Sequence, residues 1–199
     1  MANLSNFVGA LKDGGARANQ FEVQISGAPS AAHAELNSGE FRFLCQGASV
    51  PALTLGEVTV PYRGRQVFVA GDRTYDAWPI TVISDTNQKM RAAFEIWQNF
   101  IGDIGAVSAG NAGSGAPSDY YASATIMQKD RNDQTLRSWH LYDVWPVSVD
   151  AMEFSHTTDA DIMTFGCSLR FNYMTVSGAG SSASNASASF SATVTIPIG

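Results

Sequence analysis

Residues 163–173 read MTFGCSLRFNY. Met163, Phe165, Cys167, Leu169, Phe171 and Tyr173 alternate with Thr164, Gly166, Ser168, Arg170 and Asn172. Successive side chains of an extended strand point to opposite faces, so this stretch carries one dry face and one wet face. It predicts a half-buried strand of about eleven residues, in a register that a one-residue slip would invert. The same period recurs through the chain. Phe21, Val23 and Ile25 alternate with Glu22 and Gln24, and Phe41, Phe43 and Cys45 flank Arg42. Val58, Val60 and Tyr62 precede Val67 and Val69, and Ile80 and Val82 follow Trp78. The expected fold is all-β with one flanking α-helix: two packed antiparallel sheets, a β-sandwich or barrel.

The helix is expected at about residues 86–101. Met90, Phe94, Trp97 and Ile101 fall at i, i+4, i+7 and i+11, a stripe that reads as a face packed on a sheet. Asp85 is placed to cap it, Gln88 to complete a capping box, and Gly102 to end it in a left-handed turn. A shorter helix is possible at residues 4–11. Residues 105–117 form a Gly-, Ala- and Ser-rich loop, and residues 130–134 a polar turn between strands around Ala124–Ile126 and Trp139–Leu141. The domain is expected to span residues 1–176. Residues 177–199 then make a low-complexity linker and a strand-like end at 192–198 that needs an edge to pair with, on its own subunit or another.

Composition narrows the functional classes. The chain has 199 residues, 45% hydrophobic, with 12 basic and 18 acidic side chains. That supports one domain with a real core and argues against gripping phosphate backbones. No apolar run is long enough for a membrane span, so stable membrane insertion is not expected, and residues 1–15 lack the basic start and apolar block of a secretory signal. Charged residues are only 15% of the chain, against about 25% in an ordinary soluble domain. Either the surface is polar but uncharged, or other subunits cover much of it.

Chemistry is hard to find. Cys45 and Cys167 read as reduced core thiols, with neither metal nor disulfide spacing. His33, His140 and His156 are scattered, and Asp159 and Asp161 read as a solvated turn. There is no phosphate loop, nucleophile elbow or zinc helix, so no enzyme and no cofactor is expected. Charge is uneven. No Lys or Arg lies between Arg137 and Arg170, where Asp143, Asp150, Glu153, Asp159 and Asp161 occur, whereas Arg63, Arg65 and Arg73 cluster around a short strand. This reads as ordinary solvated turns, or as an acidic surface and a basic edge that meet on different copies.

Residues 67–100, VFVAGDRTYDAWPITVISDTNQKMRAAFEIWQNF, order a strand, a turn at Ala70-Gly71-Asp72-Arg73-Thr74, a Trp-bearing strand and a helix ending in Phe-x-x-Trp-Gln. This block resembles the tail tube proteins of contractile-tailed bacteriophages and of related contractile injection systems. Residues 18–23, residues 43–51 and Trp145-Pro146 extend the resemblance to roughly residues 15–173. It implies subunits that form homohexameric rings, stacked into a hollow tube whose inner wall is an intersubunit β-barrel. The tube would lie inside a sheath and conduct the genome. Sheath, tape-measure and baseplate or terminator proteins would be its partners, the virion tail its place, and the host cytoplasm its site of assembly. Barrel closure removes exposed sheet edges, and acidic residues facing the lumen would repel phosphates and let DNA slide, whereas a basic lining would arrest it.

On that basis Arg63, Arg65, Asp72 and Arg73, with Val194 and Ile196 of the extension, are expected at contacts between subunits or rings. Thr164, Ser168, Arg170 and Asn172 are expected to face the lumen; Arg170 departs from an acidic lining, so either a neighbouring carboxylate neutralises it or the strand's polar face points elsewhere. The alternatives are an injection-particle subunit, a single-ring baseplate or terminator protein and, in a different class, a free β-sandwich binding module.

Overall fold

One strand organises the molecule. β7, Thr135–Val149, runs fifteen residues and serves both layers of one seven-stranded sheet. Its first half pairs with β6 (Ala122–Lys129) and β9 (Tyr173–Gly178), and its second half with β8 (Thr164–Arg170). The computed structural model describes residues 4–10, 15–29, 32, 35–102, 116–156 and 162–178. Within these, β1 (Phe21–Ser26) joins β6 to complete one four-stranded layer. The other layer runs β7-β8-β5-β2, with β5 at Trp78–Ile83 and β2 at Cys45–Ala48. All pairings are antiparallel. A second, two-stranded sheet comprises β3, Leu53–Tyr62, and β4, Arg65–Tyr75. The helices are α1 (Leu4–Ala10), α2 (Phe41–Leu44), α3 (Lys89–Gly102) and α4 (Pro117–Tyr120).

The corner of the sandwich has a local cause. Asp143 takes a left-handed φ of 58°, which bends β7, and the register shifts again between Pro146 and Ser148. The chain paired with it must bend too. The expected eleven-residue strand is therefore two strands, β8 and β9, broken at Phe171-Asn172. There Asn172 N–H donates to the Tyr142 carbonyl at 3.1 Å and Asn172 Nδ2 to Asp143 Oδ2 at 3.0 Å. Phe165, Cys167, Leu169 and Phe171 are buried, while Tyr173, past the corner, is exposed and stacked on Tyr142.

The core lies between the layers and under α3. Phe94 makes edge contacts with Phe41 and Phe165 and lies near Trp97, with Met90 buried beside them and Ile101 packed at the margin. The two largest buried side chains keep their indole N–H groups satisfied: Trp78 donates to the Ser49 carbonyl at 2.8 Å and Trp97 to the Tyr120 carbonyl at 2.9 Å.

Several local expectations change. α3 starts at Lys89 rather than near residue 86, because Gln88 adopts a left-handed φ of 53°. Asp85 still caps it, accepting from the Lys89 N–H at 2.9 Å, but Gln88 contributes its carbonyl, to Ala92, rather than a reaching side chain. Gly102 is the last helical residue without entering the left-handed region. Phe41 and Phe43 do not share a strand face. They sit in the single turn α2, where residues two apart do not face each other, so Phe41 is buried and Phe43 is 73% exposed. The polar turn at 130–134 closes on Asp130, whose Oδ1 accepts from the N–H groups of Asn132 and Gln134 at 2.8 Å each. His33, Asp159, Asp161, residues 103–115 and residues 179–199 lie outside the described residues.

Candidate assembly surfaces

The β3–β4 hairpin continues the β2–β5 pair outward: Ala48 pairs with Ile80, and beyond them Leu53 pairs with Tyr75. Beyond that point the two strands contact chiefly each other. The chain reverses at Arg63-Gly64, where φ values of 49° and 79° make the two-residue turn whose twist suits a hairpin. The stretch Ala70-Gly71-Asp72-Arg73-Thr74, expected as a turn, lies inside β4, where Gly71 and Asp72 bulge opposite Gly56. Backbone approaches closely there. A Cβ on Gly71 would meet the Gly56 carbonyl carbon and oxygen at 3.2 Å, which explains two glycines at the crossing.

The period-two pattern in this hairpin produces a dry-type face that is exposed among the described residues. The pairs Val58–Val69 and Val60–Val67 put four valines on one side, next to Tyr62 and Arg65. The other side carries Glu57, Thr59, Gln66, Ala70 and Phe68. Every residue of β3 is exposed, with Val60 at 46%, and on the partner strand Phe68 of β4 is 62% exposed. The expectation that Val58, Val60 and Val67 belong to a half-buried strand is thus corrected: the face exists, and the subunit does not cover it. Nor do the basic residues cluster. Arg63 and Arg65 stand at the tip, with the Arg63 guanidinium 5.4 Å from the Tyr62 ring centroid. Arg73 pairs with Leu55 at the base, eight residues and roughly 25 Å along β4 from Arg65.

Two polar sheet faces complete the candidate surfaces. On β8, Thr164, Ser168 and Arg170 alternate on the outward side, beside Pro79 and Thr81 of β5 and Ser148 of β7. The Asp150 side chain lies over Gly166, where a Cβ would collide with it. Arg170 Nη1 donates to the Tyr75 carbonyl at 3.3 Å, so a backbone carbonyl takes the place expected of a carboxylate. Asn172 lies beyond the strand, at the corner, and is not in line with the other three. Val194 and Ile196 lie outside the described residues.

The opposite layer carries a row Gln24, Thr125, His140, Thr175 across β1, β6, β7 and β9. Hydroxyls and imidazole join there: Thr125 Oγ1 to His140 Nδ1 at 3.1 Å, His140 Nε2 to Ser177 Oγ at 3.1 Å, and Ser138 Oγ to Ser177 Oγ at 2.7 Å. Glu22 pairs with Lys129 on this face, and that hydrogen bond holds the Glu22 carboxyl below its ordinary range and raises the Lys129 ammonium. Sequence reasoning missed this second wall because its polar residues alternate with the core residues of four different strands. The acidic residues of this half are spread out where they are described, and Asp159 and Asp161 lie outside the described residues. Asp143 sits at the corner, and Asp150 and Glu153 lie beyond the far end of β7.

Among the described residues no three His, Cys, Asp or Glu side chains converge to hold a metal, and no helix is long and apolar enough to cross a membrane. Burial pushes both the Cys45 and the Cys167 thiol up to about 12, as expected of inert core sulfur.

Comparison with known proteins identifies relatives of this chain. The tail tube protein of Serratia phage KSP90 is 31% identical over 173 residues, 86% of this chain and 95% of that protein. Tail tube protein gp19 of Enterobacteria phage T4 is 30% identical, covering 79% of this chain and 90% of its own length. Among solved structures, chains of the anti-feeding prophage tube-terminating cap (TM-score 0.60, 14% identity, 82% of this chain and 91% of that one) and baseplate (TM-score 0.57, 15%, 82% and 95%) share the fold. The family model for phage tail tube protein matches residues 16–177, and the chain belongs to that family, a structural family of the viral tail rather than an enzyme family.

Proposed function

We propose that copies of this chain form hexameric rings, stacked into the hollow inner tube of a contractile phage tail, through which the genome passes during delivery. One observation carries the reading: a hairpin of ten- and eleven-residue strands stands off the body with a valine face in water. A lone two-stranded ribbon is marginal in water, and an exposed apolar patch of this kind marks a protein interface. A second copy covers it in the assembled tube. Arg63 and Arg65 at the tip, and Asp72 and Arg73 at the base, then lie at contacts between subunits or rings.

Thr164, Ser168 and Arg170 face the lumen in this reading, with Asn172 at its rim. DNA passes without specific binding, because hydroxyls predominate on this wall and the Arg170 guanidinium is engaged with the Tyr75 carbonyl of its own subunit. The sheath, tape-measure and baseplate or terminator proteins are the tube's partners, and the chain performs no catalysis.

Negative-stain electron microscopy of the purified chain across a concentration series tests the reading. Hollow tubes are expected. Single rings that never stack would instead favour a baseplate or terminator role, and a monomer that ignores a matching baseplate would revive the free binding module.

A further inference from the structure

At one side of the sandwich the edge strands of the two layers, β1 and β2, come into contact. A cleft of about 150 Å3 opens there, walled by Phe21, Ala48, Val50, Ile126 and Trp139. Ile126 and Trp139 are cross-strand partners, Phe21 leads β1, and Val50 follows β2 with 44% of its surface exposed. An apolar cavity of that size holds one aromatic ring. The rim is cationic. Arg17 borders the cleft, and the Arg137 guanidinium stands 5.5 Å from the centroid of the Trp139 ring. Among the described residues the buried Arg137 Nε has no hydrogen-bond partner, and neither arginine pairs with a carboxylate. The cleft therefore suits an apolar ring with a carboxylate beside it.

This chain presents such a group elsewhere. Phe154 is 74% exposed, and Glu153 precedes it, also exposed and without a cationic partner among the described residues. The other large aromatic side chains exposed among the described residues lack an acidic neighbour. Phe43 follows Arg42, Tyr62 precedes Arg63, and Phe7, Phe68, Phe100 and Tyr173 stand between uncharged residues.

The two features lie at opposite edges of one layer. Val149, Cys167, Ile80 and Ala48 form one row across β7, β8, β5 and β2, so Ala48 and Val149 stand three strand spacings apart, roughly 14 Å. From this row β2 and β7 run in opposite directions, one towards Val50 and the other towards Glu153 and Phe154. Phe154 is therefore remote from the cleft of its own subunit, and a second copy must supply the ring. Joining two different patches makes a head-to-tail contact, which repeats from copy to copy instead of ending in a dimer.

We propose that Phe154 of one copy inserts its ring into the cleft between Phe21, Val50 and Trp139 of the next copy, where Glu153 pairs with Arg17 and Arg137. A buried aromatic anchor beside a charged pair on the rim is the usual composition of a protein contact. The proposal deepens the tube reading above and rests on it only in requiring copies to meet repeatedly.

Disulfide trapping in the full chain tests the contact. Cys45 and Cys167 are buried and unreactive, so cysteines introduced by Ala18→Cys at the cleft and Ser155→Cys beside Phe154 report alone. Under mild oxidation the double variant should give a ladder of covalent multimers on a denaturing gel, which neither single variant can form. A link confined to one chain, or assembled protein without a ladder, overturns the contact. Light scattering supplies a second measurement. Phe154→Ala and Glu153→Lys should each raise the concentration needed for assembly at least about tenfold, and adding Arg17→Glu to Glu153→Lys should recover at least about threefold of that loss. Thermal unfolding of the monomer should stay the same, because Arg17, Glu153 and Phe154 are exposed. Unchanged thresholds overturn the insertion, and no recovery on charge exchange overturns the ion pair. Tubes without the ladder remove the contact and keep the tube reading. A ladder from open chains or lone rings, with no tubes, keeps the contact and removes the tube reading, and a monomer at every concentration removes both.

Discussion

The β3–β4 hairpin and the β5–β8 pair carry the same one-dimensional pattern and meet opposite fates. Trp78, Ile80 and Val82 of β5 and Phe165, Cys167 and Leu169 of β8 alternate with polar residues and are buried. Val58, Val60, Val67 and Val69 alternate just as cleanly and remain about half exposed. The difference lies in what packs on each pair. α3 and the opposite layer close over β5 and β8, whereas the hairpin extends past the edge of the sandwich, beyond the reach of either. Alternation therefore reports that a face wants cover. It does not report whether the cover comes from the same chain.

The largest effect that would sharpen this contrast is in the core. Phe94→Ala removes a ring packed against Phe41, Trp97 and Phe165 and should cost about 3–5 kcal/mol. Thermal unfolding should show the subunit close to unfolded at ordinary temperature. Serine at Val60 and Val67 attacks the matching pattern in the hairpin. Subunit stability should change by no more than about 0.5 kcal/mol, as for other exposed sites, while sedimentation shows polymerisation lost. A large drop in monomer stability would mean the hairpin is covered within the subunit, and the contrast would collapse.

Charge reversal at Arg63 and Arg65 should act more weakly, shortening tubes in a salt-dependent way. Normal tube lengths in that variant would remove the tip from the stacking contact. Cysteine at Ser168 or Thr175 then compares the two polar walls. In assembled tubes Ser168→Cys should react with a small maleimide and resist one carried on a large protein, and Thr175→Cys should accept both. The reverse would assign the lumen to the Thr125–His140–Thr175 face.

The smallest effect concerns Glu22→Gln. The Glu22 carboxyl is held below its ordinary range, so its pairing with Lys129 stabilises the fold above about pH 4.3 and is lost as pH falls through the lowered value. For this half-buried surface pair, with solvent screening its charges, the variant should lose about 1 kcal/mol near neutral pH, and nothing in acid. A loss that persists in acid would point to packing rather than charge.

Much of the framework was legible because it is written in local periodicity. Two packed antiparallel sheets and the helix stripe of Met90, Phe94 and Trp97 need only neighbours in sequence to be read. The sandwich corner was not legible, because it depends on Asp143 of β7 and Asn172 of the break between β8 and β9, twenty-nine residues apart, meeting at 3.0 Å. The tip and base of the hairpin were read as one basic cluster for a similar reason. Arg65 and Arg73 are close in sequence, and an extended strand holds them far apart in space.

By itself, the sequence determined which side chains repel water and at what spacing, together with the family block at residues 67–100. Those properties belong to residues and their near neighbours. Only the tertiary structure decided which apolar faces find cover inside the subunit, where β7 bends from one layer to the other, and which described strands end up at the edges of the sheet. Cover, corners and edges are relations between segments distant in the chain, and they exist only once the segments have met.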